Sequence, residues 1–307
     1  MPTPTGRSLA ALAALWVAGR VAMLTGPGLL AIVDGAFLPL VALSLWFPLK
    51  RSGNRNLFFV GLLLLFAVAN LLFHLSRLGV MSLAPIVPVQ GALYLVVIIV
   101  SVMSGRVTPS FTQNAIPSAR IRRVKALDAA AIGALAATLV AQLSGAPAWL
   151  LAPLALVAAA LHAARLALWD PLSTLRSPIL WILHVSYAWI PVGLLLLALS
   201  TMDFGVAPAP FIHALGAGAI GGTIIGMITR TARGHSGRPL QVGRAETAAY
   251  LLVHIGVAIR VFGPLAAPAH YGVLLVAAGA AWSTAFLIYL IVYWPMLAWA
   301  HRDGSPG

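Results

Sequence analysis

The sequence predicts an all-α, polytopic integral membrane protein of about ten transmembrane helices. Three observations lead there. Of 307 residues, 61% are hydrophobic and 8% charged, with mean hydropathy +0.98, whereas soluble domains carry about a quarter charged residues. The apolar residues come in runs of roughly 16–22, the length that crosses a bilayer. The basic residues collect in alternate loops, as topology signals do.

The runs place helices at Leu9–Leu24, Leu29–Phe47, Leu57–Arg77, Ala84–Ser104, Ala126–Leu143, Ala148–Trp169, Ile179–Ser200, Pro210–Arg230, Ala245–Phe262 and Tyr271–Trp299. The first run has one Arg before it and no small-residue cleavage site after it, so it reads as a retained helix rather than a signal peptide. Thr25-Gly-Pro-Gly after it, and Gly145-Ala-Pro between the fifth and sixth runs, are long enough only for tight hairpins. The polar stretch Gly105–Lys125 reads as a cytoplasmic loop within a single transmembrane domain, residues 1–307. No internal repeat of the kind transporters use is visible.

Charge sets the expected orientation. Sixteen of the 19 Lys and Arg residues fall at the N-terminal side of the first helix or in alternate loops, among them Arg7, Lys50, Arg106, Arg123, Arg165, Arg233 and Arg302. Only Arg20, Arg77 and Arg260 lie toward the other face. Both termini are therefore expected in the cytoplasm. The net charge of +13 is accounted for by topology and anionic head groups of the lipid bilayer, so no nucleic-acid partner is expected. Trp46, Trp169, Trp181, Trp294 and Trp299 near one set of helix ends, and Trp149 near the other, read as an interfacial belt.

The absence of cysteine excludes disulfide scaffolds, thiolate zinc, Fe–S clusters and covalent C-x-x-C-H haem. Eight histidines remain as the plentiful metal-ligating type. Imidazole serves both haem iron and copper. His74 sits just before the outer exit of helix 3 and His213 just after the outer entry of helix 8. At about 1.5 Å per residue they are expected within one turn of the same plane, as parts of one metal or haem site. His184 lies near the inner end of helix 7, in Trp181-x-x-His184-x-x-Tyr187-x-Trp189, so it serves a different centre or none. Its aromatic neighbours suit a cofactor pocket wall or an interface belt equally. His254 lies near the middle of helix 9, and an isolated intramembrane histidine more often packs than ligates. Gly218, Gly222 and Gly226 repeat every four residues on helix 8. Tight helix packing is the preferred reading, ahead of close approach by a flat macrocycle. Arg20 and Asp34 share a depth in the first hairpin and are expected to form a structural ion pair rather than a proton relay. No Ser–His–Asp set, P-loop or Rossmann fingerprint is present.

Several strings carry a family resemblance. His213-Ala-Leu-Gly-Ala-Gly-Ala-Ile-Gly-Gly, running on to Met227-Ile-Thr-Arg230 and Gly234-His-Ser-Gly-Arg-Pro-Leu240, resembles the signature of the NnrS family. So do Ala69-Asn-Leu-Leu-Phe-His74, Ser104-Gly-Arg-Val-Thr-Pro-Ser-Phe-Thr-Gln-Asn114 and Leu180-Trp-Ile-Leu-His184-Val-Ser-Tyr-Ala-Trp-Ile-Pro191. The four motifs, in order, cover most of the chain. The resemblance implies a polytopic inner-membrane protein containing haem and copper, tied to nitric-oxide metabolism and nitrosative stress, with nitric oxide or iron-nitrosyl species as partners. It also implies two further N-terminal helices, the second with a Trp-His-x-His-Glu motif. The opening Pro-Thr-Gly-Arg-Ser-Leu resembles the loop that follows them. With haem at the outer site, Arg77 and Arg260 are the cations placed to neutralise its propionates.

The leading expectation is thus a haem- and copper-binding membrane protein that limits nitric-oxide damage. The alternatives from other classes are a transporter or channel for a small molecule or metal, and a non-catalytic membrane assembly factor. Nothing in the residues establishes turnover.

Overall fold

A computed structural model describes residues 4–24, 28, 30–52 and 57–298. Thr25, Gly26, Pro27 and Leu29 of the first turn, and Arg55, Trp299, His301 and Arg302, lie outside the described residues. The described chain is helical and contains no strand. The helices are α1 (Gly6–Ala22), α2 (Leu30–Arg51), α3 (Phe58–Arg77), α4 (Ile86–Ala115), α5 (Lys125–Leu143) and α6 (Ala148–Ala167). They continue as α7 (Pro178–Thr201), α8 (Ala209–His235), α9 (Arg244–Ala266) and α10 (Tyr271–Ala298). Among the described residues, nine are long and apolar enough to cross a membrane. α1, with 17 residues, is shorter than the roughly 20 that span hydrocarbon.

The chain divides into two compact units, Met1–Leu95 and Val96–Gly307. In the first, α1 packs on α2 and α2 on α3. Gly19 sets the closeness of the first pair: a Cβ there would stand 3.1 Å from the Asp34 Cα. In the second unit α7 is the central element, touching α6, α8 and α9. Its residues are apolar on every side and mostly buried, as expected of a helix surrounded by others. α5 and α6 turn through Gly145 at φ +69°. The Ala146 N–H bonds back to the Ala141 carbonyl, a helix ending that needs a left-handed residue.

Two expectations change. The stretch read as a loop from Gly105 is helical to Ala115. Its polar residues and Pro109 resemble loop composition, but the structure supplies partners for the Gly105 carbonyl and for the Thr112 hydroxyl. Pro109 has no N–H for the Gly105 carbonyl, and Arg123 donates to that carbonyl at 2.8 Å and to the Arg106 carbonyl at 3.0 Å. Thr108 and Thr112 are buried on the inner face of the same turns. Trp169 is the second change. It is buried rather than a belt residue, with its ring 4.6 Å from that of Tyr187. Trp149 and Trp294 are exposed, as a belt requires.

Candidate functional site

In the first unit Asp34 is the focus. Buried within α2, it accepts from Arg20 in a close ion pair and from Asn70 Nδ2 at 3.0 Å. His74 Nε2 lies 3.0 Å from Oδ2, the same oxygen that accepts from Asn70. A carboxylate only accepts, so His74 donates through Nε2–H, and neutral His74 keeps its lone pair on Nδ1. The pairing of Arg20 with Asp34 follows from the depth each holds in the α1–α2 hairpin. Arg77 is exposed and reaches over the Phe73 ring.

The second unit holds a larger polar network, centred on the buried Arg165 of α6. Its Nε donates to Asp128 at 2.6 Å. Nη1 donates to the Ser101 carbonyl at 3.0 Å and to Tyr187 at 2.9 Å. The remaining guanidinium edge lies flat against Gly105, where any Cβ would collide with it. Tyr187 passes the chain on to His162, 2.6 Å away at Nδ1. His162 Nε2 faces the Ala131 carbonyl at 3.0 Å, so Nε2 is protonated and Nδ1 accepts from Tyr187. Both nitrogens of His162 are committed, which removes it as a metal ligand. The network ties α4, α5, α6 and α7 together.

His184 is different. Thr112 Oγ1 donates to the Thr108 carbonyl at 3.0 Å, so its oxygen accepts from His184 Nε2–H, also at 3.0 Å. That leaves Nδ1 as a buried lone-pair nitrogen with no hydrogen-bond partner among the described residues. Trp169 stands edge-on beside the ring. A histidine oriented through its second nitrogen, with the first unused, is the arrangement in which imidazoles bind metals. His254 has the same Nε2–H tautomer but is engaged through the other nitrogen. Trp189 Nε1–H donates to its Nδ1 at 3.1 Å, so the unpartnered, buried Nε2 carries a proton and is not a ligand in this state. His213 is half-buried and lines a cavity of about 210 Å³ together with Arg260, Gly256 and Trp282. Arg260 donates to Tyr271 at 3.1 Å. Among the described residues no group of three or more His, Asp or Glu side chains is arranged to hold a metal ion by itself.

The glycine stripe of α8 is filled from within the unit. Gly218 lies against the Trp189 ring, Gly221 against Trp282, Gly222 against Ser186 and His254, and Gly226 against Ile182 and Leu183. Helix packing therefore accounts for it, and no space for a macrocycle remains on that face. The backbone from Ala214 to Gly221 widens to a π-helix, a form that concentrates at functional positions.

A family model described as NnrS protein matches residues 1–300. The chain belongs to the NnrS family. No curated protein and no solved structure matches it. NnrS membership supports a nitric-oxide-related membrane protein. The NnrS-like strings acquire physical roles in the fold. Ser104–Asn114 is the second half of α4 and brings Thr108 and Thr112 inside. Leu180–Pro191 is the α7 face that carries His184, Tyr187 and Trp189. The string beginning at His213 is the π-helical stretch. Sequence reasoning singled out His184 but missed Thr112, 72 residues away. It also placed Arg165 among the surface charges, although Asp128 inside α5 signalled a buried partner. His74 and Arg77 lie in the first unit, and His184, His213 and Arg260 in the second.

Proposed function

We propose that the protein is a haem- and copper-binding protein of the bacterial inner membrane, with both termini cytoplasmic, that handles nitric oxide and protects against nitrosative stress. His184 is its best-prepared ligand. The observation that carries the reading is the unused, buried Nδ1 lone pair of His184, oriented by Thr112. His74 is likewise oriented through Nε2, with Asp34 as the acceptor behind it. A carboxylate in that position raises the basicity of the ligating nitrogen. His213 is the third proposed ligand. Arg77 and Arg260 are the proposed cations for haem carboxylates. A metal held at these nitrogens supplies a centre to which nitric oxide binds. The residues themselves fix the tautomers of His74 and His184 and, around His184, keep the ring away from water.

Metal and haem content of the purified protein tests this. His184→Ala is expected to lose one of the two cofactors, while His162→Ala, in which both lost nitrogens were already committed, retains both. Full haem and copper in His74→Ala, His184→Ala and His213→Ala alike would make all three packing histidines.

A further inference from the structure

We infer that the first unit binds a membrane quinone, its ring in a cavity between α1, α2, α3 and the start of α4 and its tail along the adjoining α1–α2 groove. No histidine lines the cavity, so the inference does not require the metal reading; the two share Asp34, which also holds His74. The space is about 370 Å³, at the lower end of the sizes that hold small ligands. Its walls are aromatic: Trp16, Phe37, Phe66 and Phe73. At one end stand Arg20, Asp34 and Asn70.

The polar end is selective. Asn70 Nδ2 is turned to Asp34, which leaves the amide oxygen as an acceptor. Arg20 commits one nitrogen to Asp34, yet its side chain is 53% exposed and has further N–H donors to offer. A ligand here meets a donor and an acceptor close together, between aromatic faces. Quinone carbonyls accept from the guanidinium, and quinol hydroxyls donate to the amide or carboxylate. An anionic head group fits poorly, because the Asp34 carboxylate would oppose it.

The tail has a path. Trp16 and Phe37 also form the wall of a second, almost wholly apolar space of about 520 Å³. That space follows α1 and α2 past Leu12 and Val41 to Leu9 and Leu45. These residues are two turns or more from Arg20, toward the opposite ends of the two helices. A compact polar pocket that opens into a long hydrocarbon groove matches a ring carrying an isoprenoid chain.

The test uses the full chain in phosphatidylcholine nanodiscs, with decylubiquinone as ligand and an azido-quinone as photolabel. Saturable quenching of tryptophan fluorescence by decylubiquinone is expected, and it should weaken at least about tenfold in Asn70→Leu, which removes the amide acceptor at the polar end. Ala92→Phe, which fills the cavity without touching a polar group, should weaken it as much. The photolabel needs no variant to fold: crosslinks in the wild type are expected within residues 9–23, 34–45, 66–73 and 88–92. Labelling confined to other segments overturns the proposal, and so does absence of saturable binding. Equal displacement of the label by added phosphatidylglycerol would also overturn it, by identifying a site for lipid in general.

Discussion

Replacing Gly218 by alanine tests whether the α8 glycines exist for packing. The new Cβ would fall on Cβ, Cγ and Cδ2 of Trp189, the base of the side chain rather than its movable end. Overpacking of this kind costs about 1–3 kcal/mol. Trp189 can yield only by shifting its indole, which carries the hydrogen bond to the buried His254. Losing that partner adds about 1–3 kcal/mol. Against this stands the helix preference for alanine over glycine, about 1 kcal/mol. The balance is a destabilisation of about 1–5 kcal/mol, and Gly226→Ala supplies the comparison. There the added carbon meets the branched ends of Leu183 and Ile182 at 3.0–3.2 Å, which rotate more cheaply, so its cost stays below about 1 kcal/mol once the same helix gain is counted. Reversible unfolding in mixed micelles, followed by tryptophan fluorescence, measures both. If Gly218→Ala is as stable as Gly226→Ala, the stripe is not held by the Trp189 contact and the packing argument fails.

Three further outcomes are expected. Arg165→Met leaves the part-exposed Asp128 without its cation and the Tyr187–His162 chain without its donor, and should lower stability by about 1–3 kcal/mol, a loss that the companion Asp128→Asn partly relieves; an unchanged unfolding midpoint for Arg165→Met would show that the network contributes nothing. Arg123→Ala frees the carbonyl that Pro109 leaves open and should cost about 1–2 kcal/mol, with faster amide exchange confined to residues 105–115; protection equal to wild type would mean that water serves as well as Arg123. A reporter fused after Arg302 should be active only on the cytoplasmic side, and periplasmic activity would reverse the topology drawn from the basic residues.

The apolar runs determined the helical class by themselves, because a backbone in hydrocarbon has few ways to satisfy its own hydrogen bonds. The Arg20–Asp34 pair was legible for the same reason: two charges at one depth of one hairpin are expensive unless they meet. Histidine supply and the strings around His74, His184 and His213 were legible as composition and order. Which imidazole nitrogen is unused was not. His162 and His184 look alike as lone histidines near helix ends, and only the tertiary structure gives one of them Ala131 and Tyr187 while giving the other Thr112 alone. The second half of α4 was hidden likewise. Its Pro109, Thr108 and Thr112 read as loop until Arg123, Arg165 and His184, from segments 14 to 76 residues away, take up the exposed carbonyl, the glycine surface and the hydroxyl. Periodicity and charge act along the chain and are carried by it. Hydrogen-bond roles are assigned between helices, and they exist only once the helices have packed.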